Sequence, residues 1–453
     1  MSSFITIPAD HPNVEDIRDL LRYKDPNARF SKAYKSGNWD GFKQLTRLRK
    51  GELVIPVGFV ELIREQPWGE DFPALPAPPP PGELYSRTQL VELDSIQEEA
   101  VELALEHGSG LIQAPTGLGK GRAIGEIIRR LGMPALVLCD QVNMLEETSL
   151  VGQIHAAIGE RVGRIGGGAW REENCTVATY QTLTRRKKAD ILSRCPVVIV
   201  DEVQHTVADT YQAVLERASA SRRLGFSATV FKSFEHGKSR DKSAWYRVQQ
   251  WLGPLIFQAS ISDGVEAERI VPASIGIIHG CDWKGSAQNY REEYQYGIVE
   301  NAARNRAIVQ LRRRLEGQMA VIVQSLEHGE YLAGQLGTVF VSGTDKSSLR
   351  QEFFEGFKAG QYDTIVLSKI ADESLDLPNI ELEVLAGGGN SPYRQIQKIG
   401  RALRAHEGKT EAMVFDFEDY GKYIAAHSRR RRRTYEAEEA YTVYDIELEE
   451  LNG

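Results

Sequence analysis

The residues best placed to do chemistry begin at APTGLGK (114–120), between an apolar run, LIQAP (111–115), and a stretch of helical periodicity, GRAIGEIIRRLG (121–132). A phosphate cradle needs this strand–loop–helix context. Gly117 and Gly119 let backbone N–H groups turn inward, the following helix offers its positive N-terminal end, and Lys120 reaches the β- and γ-phosphates. Pro115, Thr116, Leu118 and Gly121 fill out the expected nucleotide-contacting loop. A second element, VVIVDEVQH (197–205), ends an apolar strand in two carboxylates, at the sheet edge where open α/β folds bind ligands. Asp201 is expected to hold Mg2+ through water, and Glu202 to orient or deprotonate the attacking water. Ser227-Ala228-Thr229 is a small-residue turn after the run LGF. QKIGRALR (397–404) places Arg401 and Arg404 three residues apart, hence on one helical face. There they could stabilise charge on a transferring phosphoryl group as arginine fingers do.

A different chemistry is suggested near the N-terminus. Residues 29–50 hold Arg29, Lys32, Lys35, Lys43, Arg47, Arg49 and Lys50 against the single acid Asp40, interleaved with Phe30, Tyr34, Trp39 and Phe42. Cations neutralise phosphates and aromatic rings stack on bases, the latter at about 1–3 kcal/mol per base. The competing reading makes the aromatics the core of a small domain and the lysines its solvated rim.

These groups need a scaffold, and 453 residues favour two or three domains over one core. A chain 42% hydrophobic and 26% charged is globular, which excludes wholesale disorder and a collagen-like rod. No run approaches a bilayer span, and MSSFITIPADHPNVED lacks the basic-then-apolar pattern of a secretion signal. Four scattered cysteines without a CxxC pair predict reduced thiols rather than disulfides or zinc. The strip FPALPAPPPPG (72–82) cannot continue a helix and marks a boundary. Beyond it ALVLC (135–139), CTVAT (175–179), VVIVD and LGFSAT (224–229) alternate with helical segments; AVIVQ (320–324), TVFVSG (338–343) and TIVLS (364–368) do so again later. Such alternation predicts parallel sheets covered on both faces. The expected partition is a small α+β N-terminal DNA-binding module (1–71), a Pro-rich linker (72–83), a first α/β lobe (84–230), an inter-lobe insertion or connection (231–294), a second α/β lobe (295–428) and a basic-then-acidic tail (429–453).

In order along the chain, these motifs resemble those of the superfamily 2 helicases and translocases. LDSIQEEAV (93–101) is similar to the segment preceding that family's phosphate loop, and SKIADESLDLP (368–378) to a later motif with an E-x-x-D pattern at Glu373 and Asp376. PNARFSKAYKSGNWDGFKQLTRLRKGELVIPVGF (26–59) and RIGGGA (164–169) resemble the UvsW-type phage recombination helicases, distant relatives of the XPB-type DNA helicases. The resemblance implies two RecA-like lobes with ATP in their cleft, Gln97 at adenine, Asp376 at the nucleotide, and one nucleic-acid strand gripped across both lobes, with Thr179 among the contacts.

It also implies an ATP-dependent DNA helicase or translocase, using ATP and Mg2+, that regresses forks and migrates junctions in phage recombination and repair. DNA is the expected partner, branched, duplex or single-stranded, with RNA the weaker option, no membrane, a monomeric state, and the host cytoplasm as location. Three positions depart from the family pattern: Gly121 replaces the metal-ligating Thr or Ser, Gln204 ends DEVQ with His205 one place late, and Ser374 replaces Gly. The first keeps open an alternative, a nucleotide-gated DNA-binding protein with a weak or degenerate ATPase. The motor subunit of a restriction system is another alternative, although no nuclease constellation is evident.

Overall fold

The computed structural model describes residues 3–186, 190–228, 242–283, 285–368, 377, 379–389, 399–400, 402–406 and 408–452. The chain divides into two units, one of Met1–Ala114 with Gly119–Ala259, the other of Pro115–Leu118 with Ser260–Gly453.

In the N-terminal module of the first unit, β1 (Phe4–Pro8) pairs antiparallel with β5 (Glu52–Pro56), which pairs with β4 (Arg47–Arg49); a separate ribbon joins β2 (Arg22–Lys24) to β3 (Phe42–Gln44). The small helix Val14–Leu20 buries Val14 and Ile17, three residues apart and so on one face. With Ile7, Leu21, Leu53, Ile55, Phe59 and Ile63 they form a core that also takes in Tyr246, whose ring meets Phe59 edge-on at 5.5 Å. Tyr246 belongs to the helix Lys242–Leu252. The module is thus continuous with the lobe that follows: Ser3 Oγ donates to Ala218 O at 2.7 Å, and Phe4 packs on Trp251.

That lobe is an eight-stranded sheet of β6 (Ser109–Gln113), β7 (Ala135–Cys139), β8 (Val162–Gly166), β9 (Ala169–Arg171), β10 (Cys175–Thr179), β11 (Val197–Val200), β12 (Arg222–Ser227) and β13 (Leu255–Gln258). The order is β13-β6-β12-β11-β7-β10-β8-β9, parallel except for the β8–β9 hairpin. Strands β7, β10, β11 and β12 are buried at every residue, as a sheet covered on both faces requires. The Pro-rich strip contains no regular element, but it is anchored: Pro79 O accepts from Arg222 Nη2 at 3.0 Å, and Gly82 N donates to Leu131 O at 2.8 Å.

The second unit is a seven-stranded parallel sheet of β14 (Ala273–His279), β15 (Met319–Ile322), β16 (Val339–Val341), β17 (Thr364–Leu367), β18 (Leu382–Val384), β19 (Ala412–Phe417) and β20 (Tyr441–Glu447), ordered β16-β17-β15-β18-β19-β14-β20. Two such parallel sheets are RecA-like lobes.

Two expectations are corrected. The stretch 231–294 carries the chain from the first unit to the second at Ala259–Ser260, as a connection would, but its described part is not inserted between them: it gives the helix Lys242–Leu252 and β13 to the first unit and β14 to the second, because Tyr246, Trp251, Ile275 and Ile278 are core residues. Nor are 429–453 a tail. The helix Ala425–Glu436 packs inward and β20 pairs with β14 along its whole length. The reason lies in the middle arginine of the run: Arg431 is buried, with Nε on Asp416 at 2.7 Å and Nη2 on Asp419 at 2.9 Å.

Candidate nucleotide site and nucleic-acid face

The turn after β6 is shaped by glycine. Gly119 has φ +68° and caps the helix Lys120–Leu131; a Cβ there would strain the backbone and stand 2.4 Å from Gln97 Nε2. Gln97 is fixed from its own side by a capping box, its N–H donating to Asp94 Oδ1 at 2.8 Å and its Oε1 accepting from Asp94 N. Lys120 Nζ donates to Ala114 O at 3.2 Å, so the ammonium folds back over the loop's own base. Backbone donors, a helix N-terminus and an ammonium in this order suit a polyphosphate.

Beyond β11, Asp201 is buried, and burial pushes its carboxyl up to about 7, with Glu202 and Asp140 adding to the rise and Lys120 opposing it. Such a carboxylate gains from a nearby cation. Mg2+ is typically bound by one or two carboxylates together with substrate phosphates, so one buried Asp beside a phosphate loop fits that ion. Among the described residues no group of three or more His, Cys, Asp and Glu could hold a metal alone. When bound, the ion would neutralise charge on β- and γ-phosphate oxygens.

Glu202 sits at φ +53°, a left-handed conformation rare outside glycine; such strain costs about 1–3 kcal/mol and gathers at functional sites. Its N–H donates to Asp201 Oδ1 at 3.1 Å, and its carboxylate accepts from Gln204 Nε2. Ser227 Oγ donates to Gln204 Oε1 at 2.7 Å. Gln204 therefore links the carboxylate pair to the small-residue turn after β12. Asp140, absent from the sequence expectations, ends β7 as Asp201 ends β11 and lies 3.5 Å from His205 Nε2. The signal was present in ALVLCD, an apolar strand closed by an acid.

Pro115, Thr116, Gly117 and Leu118 are assigned to the second unit, as is Arg404, which bridges to Ile270. Arg401, Asp376, Glu373, Ser374 and Thr229 lie outside the described residues.

On the N-terminal module Arg29, Lys32, Lys35, Lys43, Arg47, Arg49 and Lys50 are all exposed. Lys43 pairs with Asp25 at 2.9 Å and Arg47 with Glu216 at 3.0 Å. Phe30 is 65% and Phe42 38% exposed, beneath Arg29 and Arg22 respectively. Trp39 differs: it is half-buried and its indole N–H donates to Phe42 O at 2.7 Å, so it braces the β2–β3 ribbon. Arg22 was not anticipated, because it lies seven residues before the basic run. Thr179 corrects the sequence expectation. It is 1% exposed with its hydroxyl on Thr182, so its side chain does not reach the surface. Among the described residues no helix is long and apolar enough to cross a membrane.

Two family models match, the type III restriction enzyme res subunit over residues 90–232 and the helicase conserved C-terminal domain over 302–406. The chain is 26% identical over 378 residues to the DNA 3'-5' helicase XPB of Mycobacterium tuberculosis, covering 80% of this chain and 67% of that protein. It is 23% identical over 471 residues to the ATP-dependent DNA helicase uvsW of Enterobacteria phage T4, covering 92% and 89%. The XPB protein and several other curated relatives are longer, and the chain spans 52–67% of their length. In fold it is similar to S. cerevisiae Dbp5 bound to RNA and ADP BeF3, at 15% identity and TM-score 0.54 over 80% of this chain and 91% of that one. With two RecA-like sheets, a phosphate loop and paired carboxylates after strands of the first sheet, and the res-subunit and helicase C-terminal models matching in chain order, the chain has the architecture of the superfamily 2 helicases and is similar to relatives of the UvsW and XPB types.

Proposed function

We propose that this protein is an ATP- and Mg2+-dependent DNA translocase that remodels branched DNA, regressing forks and migrating junctions. The observation that carries the substrate choice is the exposed basic face of the N-terminal module, with Phe30 and Phe42 open beneath arginines. Lobes of this class grip one strand largely by its backbone, which supplies movement but little preference for shape. A cationic, aromatic face built into the same unit as the phosphate-loop helix would supply that preference. Lys120 would meet the β- and γ-phosphates, Asp201 the metal, Glu202 the attacking water, and Arg401 with Arg404 the developing charge.

A second reading, a nucleotide-gated DNA-binding protein with little turnover, is favoured by Gly121, which lacks the loop hydroxyl. Steady-state ATPase across single-stranded, duplex and forked DNA and RNA separates the two. Strongest stimulation by forked DNA supports the motor reading. Nucleotide-dependent DNA affinity without stimulated turnover supports the other, and equal stimulation by RNA removes the DNA assignment.

A further inference from the structure

Gly121 occupies the position whose Ser or Thr hydroxyl contacts Mg2+ in a phosphate loop. In this fold that space is taken by another residue. A Cβ built on Gly121 would lie 1.9 Å from Gln153 Oε1, 2.9 Å from Gln153 Cδ and 3.3 Å from Gln153 Cβ. A hydroxyl oxygen is one bond beyond Cβ, so the carboxamide oxygen stands inside the volume a Ser or Thr side chain would fill. Because Cβ bonds tilt toward a helix N-terminus, that volume lies on the phosphate-loop side of Gly121.

The placement is built into the packing. Gln153 lies on the helix Leu150–Ile158, which runs close against Lys120–Leu131. One turn along from Gly121, a Cβ on Gly125 would come within 2.6 Å of Ala157 Cβ and 3.2 Å of Ile154 Cα. The two glycines therefore form a trough that admits the second helix, and its position fixes where the Gln153 side chain emerges. No hydrogen bond to this carboxamide is found among the described residues, and the residue is open to solvent.

We propose that the side-chain carbonyl of Gln153 replaces the missing hydroxyl as a ligand of the nucleotide-bound Mg2+, working with Asp201. An amide carbonyl is a neutral, hard oxygen donor of the kind such cations accept. The proposal rests on the nucleotide–Mg2+ reading above and deepens it: the glycine is one half of an exchange and no sign of decay.

The test is equilibrium binding of a fluorescent ADP analogue to the full chain, with and without Mg2+, read as the ratio of the two affinities. Gln153→Ala should lower that ratio on the order of 10-fold, the lower end for losing a metal-supporting group, and Gln153→Glu should preserve or raise it. Gly121→Thr should return the ratio of the Gln153→Ala protein toward wild type, because the new hydroxyl then enters an empty trough. An unchanged ratio in Gln153→Ala, beside a clear Mg2+ effect in wild type, would overturn the proposal and make Gln153 a space-filler. ADP affinity indifferent to Mg2+ in wild type would overturn the metal reading itself, and the proposal with it. Metal-free ADP binding by each variant reports that it is folded.

Discussion

Lys120 and Arg431 show how differently two cations in one chain can be used. Among the described residues the Lys120 ammonium makes one hydrogen bond, to the carbonyl of Ala114, with the Asp201 carboxyl near enough to feel its charge. Lys120→Ala is expected to abolish DNA-stimulated ATP turnover while leaving the melting temperature close to wild type. Arg401→Ala should reduce turnover far more than nucleotide affinity, by about 10³-fold on the precedent of arginine fingers; unchanged turnover would remove Arg401 from the reaction. Arg431 is a structural cation. It is tied to Asp416, Asp419, Gly389 O and Phe417 O inside the second unit, and Asp419 is shared with Arg304. Removing one partner of a buried ion pair strands the other charge and costs about 3–5 kcal/mol. Arg431→Ala should therefore lower unfolding free energy by that order in urea, whereas Arg430→Ala, at an exposed site one residue earlier, should fall within about 0.5 kcal/mol of wild type.

At the scale of elements, the last strand is held by charge as well as by its ladder. His279 ends β14 with Nδ1 2.6 Å from Glu418 and Nε2 2.6 Å from Asp445 of β20, and Arg432 also binds Asp445. Burial pulls the imidazole pKa down, but the two carboxylates outweigh it and hold the value above the ordinary histidine range. Asp445 is held down at about 2, by Arg432 first and His279 second. The signs differ. The His279 contribution is fully present below the pKa of an unfolded histidine and is lost as pH rises through the raised folded value. The Asp445 contribution is present above an unfolded aspartate's pKa and is lost as pH falls through about 2. Comparing thermal unfolding of wild type and His279→Gln across pH should show the largest gap in mildly acid buffer, closing toward alkaline pH. A gap independent of pH would mean the ring acts only by packing.

At the scale of the molecule, the N-terminal module and the first lobe share a core through Phe59 and Tyr246. Deleting the module would strip apolar surface from the helix Lys242–Leu252, so its role is better read from surface charges. Lys32, Lys35 and Arg49 are exposed and form no ion pair among the described residues. If each neutralises one phosphate, every Ala substitution should flatten the salt slope of fork binding by about one unit, additively, with DNA-independent ATPase unchanged. Equal slopes in wild type and the triple variant would move substrate choice to the lobes.

The sequence by itself determined what local pattern can encode. Apolar runs buried on both faces were read as β7 and β10 to the residue and as β11 to within one, and the loop after β6 and the acid pair after β11 were read by type and spacing. Residues 29–50 were read as a cationic face on composition alone. What only the tertiary structure decided were matters of partnership between residues far apart in the chain. A run of five arginines looks like a solvated arm until Asp416 and Asp419 claim the middle one. Scattered aromatics at 245–251 look like an insertion until Phe4 and Phe59 pack on them. Thr179, named among the strand contacts by resemblance alone, is buried by the sheet. Gly121 looks like a lost ligand until a second helix brings the oxygen of Gln153, 32 residues on, to the same volume. Periodicity and turn chemistry are written over a few neighbouring residues, whereas burial and charge pairing depend on which distant segments the fold brings together.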